Sequence, residues 1–174
     1  MEYFRLQQNK DFVNAPVIPN VEQPIDRRYV TPEEAHRIAE LTVCRLANEK
    51  DPDFIDLLDR QLFLVSESLQ ATFQLYVPRL IWRRVLLISS VASRQTVYWL
   101  PIFKAVDCLA EESIQTPDKT AVKKLVLKQA AICNYPLFRV AHKLETIIVA
   151  RLDAAESILR RDFRGIKLQR VELV

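Results

Sequence analysis

One glycine, two histidines and three cysteines are all that 174 residues hold of those types, and each scarcity removes a class of chemistry. A loop that cradles phosphate needs several glycines, because a backbone without Cβ lets its N–H groups close on the anion. With Gly165 alone, Walker-type and dinucleotide-binding fingerprints are excluded. His36 and His142 form no HExxH and no paired spacing, so neither a metal nor another cofactor is expected. Cys44, Cys108 and Cys133 make no CxxC motif and no zinc spacing, and read as reduced thiols in a core. No apolar run approaches the ~20 residues that span a bilayer. No basic-then-apolar stretch opens the chain in the manner of a secretory signal. The expectation is a cytoplasmic protein without membrane contact.

What is present is a globular composition, 49% hydrophobic with 27% charged residues. The stretch LFLVSESLQATFQLYVPRLIWRRVLLI, Leu62 to Ile88, is the part around which the rest is arranged. Leu62–Val65 is a short apolar run, as a buried strand requires. Ser66 can accept from an unpaired amide of a following helix. Leu69, Phe73 and Tyr76 recur at helical spacing, and Pro78 ends the helix. Leu80–Ile88 then reads as a strand, with Arg83 and Arg84 breaking the alternation: one faces solvent, and a bulge or bend lies near them.

The same pattern returns at the C-terminus. Thr146–Ala150 is a strand, Asp153 and Glu156 have capping-box spacing, and Ala155, Ile158 and Leu159 line a helix. Gly165 stands where a helix C-terminal residue turns left-handed, and Ile166, Leu168 and Val171 mark a last strand. Setting Ser68 against Asp153 aligns Phe73 with Ile158 and nearly aligns Ile81 with Ile166. The reading is a repeated strand–helix–strand unit.

Elsewhere, Glu2–Leu6 reads as an edge strand. Phe12–Pro24, with Pro16, Pro19 and Pro24, must be largely extended or looped, its Val13, Val17, Ile18 and Val21 apolar enough to pack along the domain. Thr31-Pro32-Glu33-Glu34 is a capping box with proline at the first helical position and predicts a helix over Pro32–Leu41. Leu41 to Leu46 suits helix and strand equally and stays open. Ser89–Gln95 has hairpin length. Thr96–Leu109 is a strand region in which Pro101 demands an edge or a bulge. Together these predict an α+β fold: a mixed, mostly antiparallel sheet with two or three short helices. Residues 1–174 form one domain, with 1–61 as extension, helix and linker and 62–174 as the core.

Net charge is +3, too small to imply nucleic acid. The densest basic cluster is Arg160, Arg161, Arg164, Lys167 and Arg170, diluted by Asp162 and Glu172. It is either a solvated face or a surface complementary to an acidic partner or a nucleic-acid backbone. Phe163 is its one aromatic, so a base-stacking platform is not supported. The carboxylate pairs Asp56 with Asp59 and Glu111 with Glu112 read as solvated loop charges.

FLVSESLQATFQLY, VYWLPIFKAVDCL and DAAESILRRDFRGIKLQRVE resemble a bacterial domain family of unknown function grouped with putative immunity proteins of polymorphic toxin systems. The resemblance spans roughly Phe54 to Val174 and rests on packing signatures. It implies a cytoplasmic, non-enzymatic protein that neutralises a cognate toxin by occlusion, and it transfers no catalytic residue. The five basic residues are the candidate partner-binding set. The alternatives are an enzyme with a fold-assembled Cys/His site, such as Cys133 with His142, or a carboxylate site, and an adaptor for an acidic partner.

Overall fold

The structure is a computed structural model that describes residues 1–19 and 25–174. Val21 and Pro24, expected in the extended or looped segment, fall outside the described residues; of its other apolar residues Ile18 is buried as expected, but Val13 is exposed and does not pack along the domain. Within them are fourteen strands, β1 to β14, and three α-helices. Most pairings are antiparallel; Leu41–Arg45 with Ile81–Ser89, Ala105–Val106 with Leu137–Val140, and Val126–Leu127 with Glu172–Leu173 are parallel. This is a mixed, mostly antiparallel α+β fold.

Two five-stranded sheets carry it. The first is ordered β13 (Ile166–Arg170), β1 (Tyr3–Gln8), β12 (Ile148–Arg151), β11 (Leu137–Val140) and β7 (Ala105–Val106). The second is ordered β2 (Leu41–Arg45), β5 (Ile81–Ser89), β6 (Arg94–Ile102), β4 (Leu64–Val65) and β3 (Leu57–Leu58). Two-stranded pairings join β8 (Ile114–Gln115) to β9 (Val122–Lys124), and β10 (Val126–Leu127) to β14 (Glu172–Leu173). A single-turn helix α2 (Gln129–Ile132) follows β10.

The two strand–helix–strand units have matching topology. β4 and β5 are both antiparallel to β6, so they run in one direction with β6 between them. Helix α1 (Glu67–Tyr76) makes that crossing. β12 and β13 are likewise both antiparallel to β1, which lies between them, and α3 (Leu152–Leu159) makes the crossing. Phe73 of α1 and Ile158 of α3 are both buried in one core cluster, which also takes Val65 from one sheet and Leu6, Ile148 and Ala150 from the other.

Ser66 caps α1: its Oγ accepts from the Leu69 amide at 3.3 Å and donates to Asp56 Oδ1 at 2.6 Å. Ser66→Ala is therefore expected to lower stability by about 1–2 kcal/mol, read as a shift of the urea midpoint at constant slope. Pro78 stops the helix, and Val77 leaves helical dihedrals at φ −134°.

Several expectations are corrected. Pro32–Leu41 is not an α-helix. The Thr31 hydroxyl does accept from the Glu34 amide at 3.3 Å, but only a 3-10 turn at Ala35–Arg37 follows. The Arg83 guanidinium takes the Ala35 and Ile38 carbonyls, and Leu41–Arg45 pairs with β5 as β2. β1 is an interior strand, not an edge. No bulge interrupts β5 at Arg83 and Arg84, whose register with β6 is continuous; Arg84 is the exposed one. Pro101 needs neither an edge strand nor a bulge, because β4 meets β6 only at Trp99 and leaves that flank without a ladder. The strand expected over Thr96–Leu109 splits into β6 and β7, and that over Leu62–Val65 shortens to β4. Asp153 does not cap α3: β12 runs straight into the helix, and the Asp153 carboxylate holds the Arg151 guanidinium at 2.8 Å. Gly165 is left-handed at φ +79°, but it precedes β13 and lies beyond the C-cap of α3 at Arg160.

Candidate functional site

Four of the five basic residues singled out in the sequence have intramolecular partners. Arg160, at the end of α3, lies 3.4 Å from Glu156 one turn back. Arg161 folds onto the Ser157 carbonyl at 2.7 Å. Arg160 at the C-cap of α3 and Arg161 just beyond it also complement the helix dipole. The Arg164 guanidinium sits over the Phe12 ring, 5.5 Å from its centroid, and Arg170 pairs with Glu2 at 2.7 Å. Strand alternation sends Lys167 to the face of β13 opposite Arg170. Only Arg161 and Arg164 come together, in an open groove beside α1 that they share with Leu75, Phe163 and the acids Asp56 and Asp162.

That groove is held by a residue the sequence does not mark. The Asp56 carboxylate accepts from the Ser66 hydroxyl and from the Arg164 amide at 2.7 Å, while the Asp56 amide donates to the Arg164 carbonyl at 2.9 Å. Asp59 accepts from the Gln8 amide at 2.8 Å. These carboxylates are stitches between chain segments and not merely solvated loop charges. Glu111 and Glu112 are exposed.

Titrating groups do not converge on a reaction centre at the positions named for one. Cys44 and Cys108 are buried as expected, but Cys133 is exposed on the turn after α2; its thiol donates to the Ala130 carbonyl, and His142 Nδ1 accepts from the Glu145 amide at 3.0 Å. Burial pushes the Cys108 thiol up to about 12, which keeps it neutral and un-nucleophilic at neutral pH. Burial likewise raises the Tyr98 phenol, whose hydroxyl donates to the Ile55 carbonyl at 2.7 Å. Among the described residues no cluster of three His, Cys, Asp or Glu could hold a metal, and no helix is long and apolar enough to cross a membrane.

A different surface stands out. Strand registers put Leu41 and Val43 of β2, Leu86 and Ile88 of β5 and Val97 of β6 on one face of the second sheet. Val43, Leu86 and Val97 form a row across three strands. Trp82 and Trp99 lie on the same face and are half-buried in the core cluster that contains α1, so the helix covers that end only. Beyond it Leu41 is 44% exposed, Val43 52% and Val97 39%. An apolar row left uncovered across a sheet is not the ordinary scatter of single surface hydrophobics. Exposed Arg45 and Arg84 flank it, and β2 is the outer strand of its sheet. In sequence the signal was LTVC beside a strand, masked by the competing helix expectation.

No family model matches the chain, and no curated protein matches it.

Proposed function

We propose that this is a protein-binding domain of the immunity type, which neutralises a toxin by laying the open face of the β2–β5–β6 sheet over it. The observation that supports the reading is the row Val43–Leu86–Val97, exposed at Val43 and Val97 and half-buried at Leu86, with exposed Leu41 beside it. Such a patch loses unfavourable hydration when covered, at roughly 25 cal/mol per Å². Its flat geometry suits a macromolecular surface, and its arginine rim suits a partner with carboxylates around an apolar centre. The strand–helix–strand sequences resemble a family of unknown function grouped with immunity proteins, a likeness that no family-model match accompanies. Charge at Arg45 and Arg84 accelerates encounter, and salt slows it.

The test uses a purified toxin encoded beside this chain. The wild type is expected to form a one-to-one complex that blocks the toxin. Val43→Glu with Val97→Glu is expected to weaken it at least ~30-fold while the melting temperature stays within a few degrees, because both positions are exposed. Arg161→Glu with Arg164→Glu is the comparison. Should that pair abolish binding while the sheet variant binds normally, the docking surface is the groove beside α1. A wild-type dimer that the sheet variant converts to monomer would instead make this face a contact between two copies.

A further inference from the structure

A second concavity lies where the end of β6 meets β11 and β12. It is a partly open cavity of ≈ 190 Å³, separate from the open sheet face. Leu100 and Phe103 wall it from one side and Ile148 from the other, with Leu62 and Phe63 closing it. Into this apolar lining come Arg27, Arg28, Arg139 and Lys143, and among the described residues that line it none is a carboxylate.

Arg139 is the unusual member. It sits between Phe138 and Val140 on β11, and alternation turns it to the side of Leu137, away from theirs. Its Nη1 donates to the Val30 carbonyl at 2.9 Å. Its Nε is buried without an acceptor, and no ion pair joins it to a described carboxylate. The Nε–Nη2 edge, the fork that grips a carboxylate with two parallel hydrogen bonds, therefore makes no hydrogen bond to the described residues. Burial lowers the pKa of this guanidinium, yet an arginine does not shed its proton in a protein. A charge so placed calls for an anion. Arg28 is neutralised by Asp26 at 2.6 Å. Among the described residues the Arg27 side chain has only a long contact to the Arg60 carbonyl, 3.5 Å, and Lys143 is exposed at the rim without an ion pair.

We infer that this cavity binds a small apolar monocarboxylate, its carboxylate on the Nε–Nη2 edge of Arg139 and its body against Leu100, Phe103 and Ile148. The size fits: a cavity of about 150 Å³ with an apolar lining admits benzene. The apolar part of the wall favours an anion that carries an apolar body over inorganic phosphate, which has nothing to set against Leu100, Phe103 and Ile148. Arg27 and Lys143 draw the anion in and share its charge. This site does not depend on the docking face, and either can fail alone.

Phenylacetate is the probe, titrated by calorimetry and by the rise in melting temperature that a native-state ligand causes. Saturable one-site binding is expected, with phenylacetamide, the neutral isostere, and inorganic phosphate at least tenfold weaker. Arg139→Met keeps the stem's bulk, removes the charge and is expected to weaken phenylacetate at least tenfold; Lys143→Glu, at an exposed position, is expected to weaken it about threefold or more. Equal binding of acid and amide would reduce the cavity to an apolar void and overturn the assignment. So would absence of saturable phenylacetate binding, or a folded Arg139→Met protein that binds as the wild type does. Where Arg139→Met does not fold, unchanged binding by Lys143→Glu overturns it.

Discussion

Phe73→Ala is expected to cost about 3–5 kcal/mol, from the lost ring burial and the cavity left behind. Phe73 is 1% exposed. Its ring lies 6.3 Å from that of Trp82 and 6.4 Å from that of Phe103, both at tilted angles. The same cluster contains Ala155 and Ile158 of α3 and Ile148 and Ala150 of the other sheet, so the ring sits where both strand–helix–strand units meet. Alanine is the better helix former, and α1 itself loses nothing by the change; the cost falls on packing. Against a typical total of about 5–15 kcal/mol, much of the domain's stability goes. Ile158→Ala is expected to cost about 2–5 kcal/mol, and the double variant to depart from additivity by more than ~0.5 kcal/mol because the two voids share a cluster. Leu75→Ala, on the exposed side of α1, is the control and should stay within about ±0.5 kcal/mol. A urea midpoint unmoved by Phe73→Ala would mean that α1 does not tie the two halves together.

The first unit was legible because its signals are local and agree. Ser66 caps, Leu69 and Phe73 mark one face, and Pro78 stops the helix, so the expected and observed helix coincide at Glu67–Tyr76. Thr31-Pro32-Glu33-Glu34 carries an equally strong start signal, and its first hydrogen bond forms. The helix fails because partners distant in sequence outbid it. Arg83 occupies the Ala35 and Ile38 carbonyls, Glu34 turns to Arg37 at 2.8 Å, and β-branched Thr42 and Val43 join a parallel ladder with Val85 and Leu86. No window of the sequence contains that competition. β1 illustrates the same limit: Arg5 pairs with Val149 on one side and Gln169 on the other, so a strand recognisable from its residues becomes central only through the far end of the chain.

The candidate sites were less legible than the fold. Clustering along the chain suggested one basic surface, but alternation on β13 and the turn after α3 disperse it. Asp56 looked like an idle charge because its partners, Ser66 and Arg164, are set by topology. Arg139 did leave a trace, a cation between apolar neighbours in a strand. Its meaning depends on Arg27 and Lys143, more than a hundred residues apart from each other in the chain.

Gly165→Ala is expected to destabilise by about 2–5 kcal/mol, and the reason is specific to this position. A left-handed L-residue costs roughly 1–2 kcal/mol, but Ser93, Lys119 and Asp162 bear positive φ without being glycine. Conformation alone does not explain why the chain's one glycine is here. The close approach does: a Cβ would stand 2.6 Å from both Cβ and Cδ1 of Ile55 and 3.0 Å from its Cγ1. Ile55 is 1% exposed and has little room to give way. Its neighbour Asp56 is fastened to Arg164 by hydrogen bonds in both directions, and the Gly165 carbonyl accepts from the Asn9 amide at 2.8 Å. Forcing a methyl group into such a contact costs about 1–3 kcal/mol, to be added to the dihedral penalty. Gly165→Asn separates the two, since asparagine tolerates the left-handed region but carries the same Cβ. If the clash dominates, Asn and Ala will be destabilised within about 1 kcal/mol of each other in urea unfolding. Ile55→Ala will rescue Gly165→Ala only in part, because its own Cβ remains at 2.6 Å. A Gly165→Ala protein with an unchanged urea midpoint would show that the Ile55–Gly165 contact is looser than its geometry.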